Sequence, residues 1–207
     1  MKTNFYIDGF NLYFGMLKES AYKWLDIDCL AKKLAPKDTI GRVRYFTARI
    51  SARPSDVSAP QRQQAYLRAL QTLASVSLHY GHFLSRPVNM PLESPPARGP
   101  KTARVIRTEE KGSDVNLATH LLTDAFDGDF ETAVIISNDS DLCEPIRVVR
   151  QKFGLIVGVV NPQQQTSHAL RRVATYYRSL RRGVVASCQL PPKVTDNRGT
   201  VTKPTGW

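Results

Sequence analysis

The chain has 207 residues, with 29 Lys and Arg against 18 Asp and Glu, so its formal net charge is +11. This length suffices for one domain whose core needs neither disulfides nor structural metal. The three cysteines are far apart and form no CxxC pair, which excludes a disulfide framework and the usual zinc patterns and predicts a cytoplasmic location. No apolar stretch is long enough for a secretory signal or a membrane span, so we expect no membrane partner.

Apolar runs and turn residues predict strands and helices in alternation along the first half of the chain. A buried strand is expected over 4–7, helices over 12–18 and 27–34, a strand over 43–48, a helix over 61–75 and a strand over 76–84. Five prolines, at 87, 91, 95, 96 and 100, then predict an irregular loop over 85–101. This loop is either a flap that faces the substrate or a disordered surface insertion.

The second half predicts a strand–helix–strand unit with parallel strands. A short strand over 103–107 is followed by helix 114–126, strand 133–136, helix 142–152, strand 155–160 and helix 167–174. Beyond 183 the chain is rich in Pro, Thr, Lys and Arg, which predicts a flexible basic tail over 183–207 and one folded domain over 1–182.

Four aspartates lie at strand ends or at a helix start, where folds with alternating parallel strands and helices carry their functional residues. Asp8 ends the first strand, Asp139 and Asp141 follow strand 133–136, and Asp114 opens a helix. Because the carboxyl ends of parallel strands meet in one crevice, we expect these four carboxylates to form one metal site. Hard oxygen ligands without His or Cys favour one or two Mg²⁺ or Mn²⁺ ions. Such ions activate water for phosphodiester hydrolysis.

Local structure offers a second explanation for each acid. Asp139 suits a helix cap, Asp141 a first-turn partner of the helix dipole, and Asp114 the first turn of its helix. Asp8 matches no capping rule on its own strand. Asn11 either orients a water or a phosphate, or caps its helix. The convergence of all four acids favours the site over four separate caps.

Three motifs resemble the NYN domain, in its LabA-like branch, of the PIN-like nuclease superfamily. They are Tyr-Ile-Asp-Gly-Phe-Asn-Leu at 6–12, Glu-Lys-Gly-Ser-Asp-Val-Asn-Leu-Ala at 110–118 and Ser-Asn-Asp-Ser-Asp-Leu at 137–142. The resemblance implies a Rossmann-like three-layer α/β/α sandwich with a mostly parallel central sheet, and metal-dependent RNA cleavage. By position, Asp8, Asp114, Asp139 and Asp141 correspond to the metal-binding acids of that family, and Asn11 to their polar companion.

We therefore predict a metal-dependent endoribonuclease with RNA as its substrate. Basic residues at the rim of the metal site are expected to bind the RNA backbone. The candidates are Arg104, Arg107, Lys111, Arg171 and Arg172. Two alternatives remain open at this point: a non-catalytic RNA- or protein-binding adaptor, and a DNA-directed nuclease or phosphatase that uses the same acids. The oligomeric state, including a homo-oligomer, is also left open.

Overall fold

The computed structural model describes residues 1–207. Its centre is a seven-stranded sheet. Its strands are β1 (Lys2–Asp8), β2 (Thr39–Ala48), β3 (Val76–Pro91), β4 (Thr102–Lys111), β5 (Thr132–Ile136), β6 (Ile156–Asn161) and β7 (Tyr176–Ser179). Their order is β4-β3-β2-β1-β5-β6-β7. Every neighbouring pair is parallel except β3 and β4, which are antiparallel.

Helices cover both faces of the sheet. They are α1 (Gly9–Leu12), α2 (Ile27–Leu34), α3 (Ala59–Leu70), α4 (Ser113–Phe126), α5 (Cys143–Phe153), α6 (His168–Val173) and α7 (Arg182–Ala186). Side chains alternate along β1, so that Phe5 and Ile7 enter the core under α1–α3 while Tyr6 enters the core under α4–α6. The predicted three-layer, mostly parallel fold is confirmed. None of these helices combines the length and the apolar character that crossing a membrane requires.

The middle of the sheet is where its strand order reverses. β1 pairs with β2 on one side and with β5 on the other, and both neighbours are parallel to it. In open α/β sheets, ligands bind in the crevice outside the carboxyl ends of the strands at such a reversal. The carboxyl ends of β1 and β5 therefore define the expected position of a site, and Asp8 and Asp139 lie there.

The structure corrects the expectation of an irregular loop over 85–101. Residues His82 to Pro91 pair with Thr102 to Lys111 in a regular antiparallel hairpin, and only residues 92–101 connect the two strands. Prolines are tolerated on an edge strand whose N–H groups face away from the ladder. The partner strand β2 ends opposite Gly81, so the outer edge of β3 beyond that point needs no N–H donors. We call residues 82–111 the basic arm.

The structure also differs from the flexible tail expected over 183–207. This segment forms α7 and a small hairpin of β8 (Lys193–Asp196) and β9 (Gly199–Thr202), and Val185, Leu190 and Val201 are buried in the core. The Trp207 ring lies 6.5 Å from that of Trp24. A few well-placed apolar residues fix the segment, although its overall composition is polar. A boundary at residue 182 thus falls inside a packed structure.

A buried ion pair joins β1, β2 and α4. Arg44 donates two hydrogen bonds to the carboxylate of Asp124, both 2.7 Å long, and the Tyr6 hydroxyl donates a third, also 2.7 Å. All three residues are buried. A buried carboxylate is tolerated only when it is paired and hydrogen-bonded, so these contacts specify how α4 sits on the sheet.

We predict that Asp124→Asn lowers the free energy of unfolding by about 3–5 kcal/mol, because the Arg44 guanidinium stays buried without its counter-charge. Asp127→Asn, at an exposed position just after the same helix, is the matched control and should change stability by less than about 0.5 kcal/mol. Urea denaturation measures both. Equal stability of the two variants would show that the pair contributes nothing.

Candidate active site

Asp8 is held rigidly at the carboxyl end of β1. Its Oδ1 accepts the backbone N–H of Asn11 (2.9 Å), while its Oδ2 accepts the Asn11 side-chain amide (2.8 Å) and the Ser137 hydroxyl (2.9 Å). Asp8 is therefore the N-cap of α1, which corrects the expectation that it has no capping role. Burial raises the pKa of Asp8, whereas these hydrogen bonds lower it.

Asn11 connects the first motif to the third. Besides the bond from its amide nitrogen to Asp8, its carbonyl oxygen accepts the backbone N–H of Asn138 at 3.3 Å. The Gln163 amide donates to the Asn11 backbone carbonyl at 3.0 Å. Both ends of the Asn11 side chain are therefore engaged within the protein, so this residue orients Asp8 and joins the ends of β1 and β5.

Asp114 lies in the first turn of α4, which begins after Gly112 in the left-handed conformation at φ +96°. Gly112, at the N-cap position of this helix, has no side chain that could cap it. Instead, Glu110 accepts hydrogen bonds from the backbone N–H (3.1 Å) and the hydroxyl (2.7 Å) of Ser113. A β-carbon on Gly81 would collide with the Glu110 carboxylate, so glycine is needed there for this close approach.

Asp139 and Asp141 occupy the turn that leads from β5 into α5. The Asp139 side chain accepts the backbone N–H of Asp141 at 3.0 Å, so it caps the short 3₁₀ turn Ser140–Leu142. Asp139 is half-buried, whereas Asp141 is exposed. The capping explanation for Asp139 is thus confirmed, and a cap with one carboxylate oxygen engaged still has an oxygen available for a ligand.

Asp8, Asp114 and Asp139 line one cavity of about 370 Å³, together with Asn11 and Glu110. We call it the acid cavity. Burial raises the pKa of Asp114 to about 6, and the neighbouring carboxylates of Asp8, Asp139, Glu110 and Asp141 add to the effect. Asp141 contributes its charge but does not line the cavity.

The four aspartates, predicted to form one metal site, do not form a preformed metal-binding cluster. No group of three or more His, Cys, Asp or Glu side chains is arranged to hold a metal ion. Two carboxylates at about 4 Å repel by roughly 4 kcal/mol at an effective dielectric of 20, so close contact requires compensation. The donors of the acid cavity are nonetheless oxygen atoms, without His or Cys, as Mg²⁺ and Mn²⁺ prefer.

The five basic residues predicted to bind RNA lie on two elements, β4 and α6, and none of them lines the acid cavity. Arg104, Arg107 and Lys111 are exposed on β4, and Arg171 and Arg172 are exposed on α6. Arg107 and Lys111 both form ion pairs with Glu109. Arg104 forms no ion pair, and by strand alternation it shares a face of the arm with Glu110, which lines the acid cavity.

Several residues around the acid cavity were missed by the sequence analysis. Glu110, Phe10, Phe14, Ile50 and Arg53 are not among the site residues predicted from the sequence, yet all five line the cavity. Phe10 and Phe14 follow Asp8 closely in the sequence, so their presence at the site could have been predicted. The positions of Ile50 and Arg53 depend on how the β2–α3 loop folds back, which local sequence does not reveal.

Comparisons with known proteins agree on the family and on the fold. The family model described as NYN domain matches residues 2–181. A relative described as 6-hydroxy-3-succinoylpyridine 3-monooxygenase HspA, from Pseudomonas putida (strain DSM 28022 / S16), is 32% identical over 237 aligned positions, which span 100% of this chain and 75% of the relative.

A solved structure has the same fold. It is the crystal structure of a protein of unknown function, VPA0982, from Vibrio parahaemolyticus RIMD 2210633, with a TM-score of 0.54 and 17% identity. The match covers 87% of this chain and 93% of that chain. At this identity the likeness supports the fold alone.

The contact between Gly9 and Tyr45 gives a test of the site's framework. A β-carbon on Gly9 would lie 2.7 Å from Tyr45 Cζ and 2.8 Å from the Phe46 carbonyl oxygen. We expect Gly9→Ala to lower the free energy of unfolding by about 1–3 kcal/mol, the usual cost of overpacking. Gly183→Ala is the control, because nothing lies within 4 Å of its β-carbon. Thermal denaturation in which both variants match the wild type would contradict this tight packing.

Proposed function

Because this chain belongs to the NYN domain family, which implies a PIN-like nuclease fold, we propose that it is a metal-dependent endoribonuclease. The observation that carries the proposal is the convergence of Asp8, Asp114 and Asp139 in one cavity at the strand-order reversal. Each acid comes from a different motif, and only the fold brings them together. The LabA-like branch and the cytoplasmic location stay predictions from the sequence.

The residues of the acid cavity suit a hard divalent cation. Asp8, Asp114 and Asp139 would hold one or two Mg²⁺ or Mn²⁺ ions, with Asp141 completing the set from the rim. When bound, the cation supplies Lewis acidity that activates water and stabilises the leaving oxygen. A cation would also offset the burial and the neighbouring negative charges that together raise the pKa of Asp114.

Residues around the acids have distinct supporting roles in this proposal. Asn11 and Ser137 fix the orientation of Asp8 by hydrogen bonding, and Glu110 fixes the start of the helix that carries Asp114. Such positioning confines the reacting groups to a narrow range of geometry, which accounts for a large part of catalysis in many enzymes. Hydrolysis adds water across the P–O bond and gives one phosphomonoester end and one hydroxyl end.

Basic residues on both sides of the acid cavity suit a nucleic-acid strand that crosses the carboxyl edge of the sheet. β4 lies at one end of the sheet, and α6 leads into β7 at the other end. An RNA strand laid between them passes the acid cavity in the middle. Arg104 is the strongest candidate on the basic arm for a phosphate contact, because ion pairs with Glu109 partly neutralise Arg107 and Lys111.

The name of the relative suggests a second candidate function, hydroxylation of a hydroxypyridine. The observation that favours it is the 32% identity across the whole of this chain. Such a reaction requires dioxygen and an electron donor in addition to the aromatic substrate. We therefore include it as a separate measurement, the substrate-dependent consumption of NADH with 6-hydroxy-3-succinoylpyridine.

The nuclease proposal predicts that the wild-type chain cuts end-labelled single-stranded RNA with Mg²⁺ or Mn²⁺ and not with EDTA. We expect Asp139→Asn to reduce cleavage by at least about 10²-fold, because loss of a ligand weakens both cation binding and its orientation. Asp127→Asn is the control and should leave the rate unchanged. Matched DNA and a phosphomonoester are tested in parallel.

The other outcomes of this assay identify the alternatives. Binding of RNA without cleavage under any metal would contradict the nuclease and favour the adaptor. Equal cleavage of DNA would contradict RNA specificity, and release of phosphate from the monoester alone would indicate a phosphatase. NADH consumption that requires the hydroxypyridine, without nucleic-acid cleavage, would favour the monooxygenase.

For the basic arm, we predict that Arg104→Ala weakens RNA binding equally for all sequences and lowers the log–log salt slope by about 0.7, the value for one phosphate contact on a single strand. Arg198→Ala is the control, since Arg198 is exposed in the turn between β8 and β9. Fluorescence anisotropy at several salt concentrations measures the slopes. An unchanged slope for Arg104→Ala would remove it from the RNA path.

A further inference from the structure

A second cavity lies directly beside the acid cavity. Its volume is about 560 Å³, which is within the range of pockets that bind small molecules. Phe10, Phe14, Ile50 and Arg53 line both cavities, so these four side chains form the wall between them. We call the second space the aromatic cavity. Only these four side chains separate a ligand in the aromatic cavity from the carboxylates of the acid cavity.

The aromatic side chains of the shared wall form an exposed stacking surface. Phe14 is 59% exposed, although it is a large apolar side chain. Its ring stacks on that of Phe10 at 6.4 Å with an interplanar angle of 22°, and the edge-on ring of Tyr13 supports it at 5.3 Å. A pair of nearly parallel rings, of which Phe14 is exposed and Phe10 half-buried, is a surface on which a planar heteroaromatic group stacks.

A polar group without a partner faces the same space. Tyr45 lines the aromatic cavity, is only 5% exposed, and its hydroxyl makes no hydrogen bond within the protein. Burial, followed by the charge of Asp8, raises the pKa of Tyr45, so the hydroxyl keeps its proton. The Tyr45 hydroxyl oxygen is open to the cavity rather than fully buried, since Gln189 Oε1 is the one fully buried side-chain N or O atom that lacks a hydrogen bond. A Tyr hydroxyl both donates and accepts hydrogen bonds. Tyr45 is thus available to the polar edge of a ligand.

The charge of the aromatic cavity indicates that the ligand is an anion. Lys18, Lys23, Arg53 and Arg62 line it, against one acidic side chain, that of Asp56, which pairs with Arg62, and the C-terminal residue Trp207. Lys18 also lies over the Phe14 ring at 5.7 Å. Arg53 belongs to both cavities, so it lies where a phosphate would link a group in one to a group in the other.

We propose that the aromatic cavity is a base-binding subsite for the nucleotide next to the cleaved phosphodiester of single-stranded RNA. The base stacks on Phe14 and Phe10, its polar edge meets the Tyr45 hydroxyl, and Arg53 contacts the linking phosphate. This inference rests on the proposed function for the identity of the strand. A base in a duplex has both faces stacked, so the subsite selects single-stranded or splayed nucleotides.

Anisotropy with a fluorescein-labelled uridine octamer, in EDTA to prevent turnover, tests the stacking. A second octamer carries the same ribose-phosphate backbone without bases. We expect Phe14→Ala to weaken binding of the uridine octamer roughly 5- to 150-fold and to leave binding of the base-free octamer unchanged. Phe126→Ala is the matched control, because Phe126 is 78% exposed at the far end of α4. Equal affinities of wild type and Phe14→Ala for the uridine octamer would overturn the subsite.

The hydrogen bond is tested by base preference. We expect Tyr45→Phe to change the ratio of affinities among uridine, cytidine and adenosine octamers, whereas Tyr176→Phe, on β7, should preserve it. An unchanged ratio for Tyr45→Phe would overturn the assigned role of the hydroxyl. If pyridine-3-carboxylate binds in a Phe14-dependent manner while the octamers do not, the cavity serves a small heteroaromatic acid and the proposal is wrong.

Cleavage assays on the same proteins separate this proposal from the proposed function. If wild type cuts RNA but Phe14→Ala binds and cuts as well as wild type, the subsite is wrong and the nuclease stands. If no metal supports cleavage but the preference for the uridine octamer over the base-free octamer disappears in Phe14→Ala, the base-binding site stands and the nuclease is wrong.

Discussion

The hydrogen bonds to the Asp8 carboxylate determine the geometry of the whole site. Asn11 donates two of them from the first turn after β1, and Ser137 donates another from the end of β5. Because Asn11 also accepts from the Asn138 backbone, the two strand ends are joined through one aspartate and one asparagine. A buried carboxylate with this many donors cannot reorient cheaply, so the position of the first acid fixes where the third motif must lie.

The strand order explains why this junction is also a crevice. The helices that lead from β1 to β2 lie on one face of the sheet, and α4, which leads into β5, lies on the other face, which opens a space at the carboxyl ends of β1 and β5. α4 places Asp114 at that space, and the buried pair of Arg44 and Asp124 holds α4 against the sheet. Asp114, at the acid cavity, and Asp124, in the buried ion pair, thus lie near opposite ends of the same helix. The fold supports the site through α4 as much as through the strands.

The sequence predicts the parts of the site that obey local rules. Apolar runs that end in Asp8 and Asp139 mark strand ends, and parallel strands bring those ends together, so the convergence was predictable. Glu110 was not, because its role depends on the pairing of β3 with β4 and on the space left at Gly81. The packed segment after residue 183 was missed because Trp207 and Val201 find their partners far away in the chain. Even so, the Asp-Asn-Arg-Gly turn at 196–199, flanked by Val194 and Val201, was a readable hairpin signal.

Membership in a nuclease-like family and 32% identity to a protein named as a monooxygenase point to different chemistries on one framework. A fold hosts many functions, so the two must be separated by their sites. The aromatic cavity does not separate them, since a nucleobase and a hydroxypyridine are both planar heteroaromatic groups that can carry an anionic substituent. The nuclease proposal depends on the acid cavity, because phosphodiester hydrolysis uses a hard cation and such cations prefer oxygen ligands. Ring hydroxylation also needs a path for electrons. The motif acids are therefore the residues whose substitution distinguishes the two proposed functions.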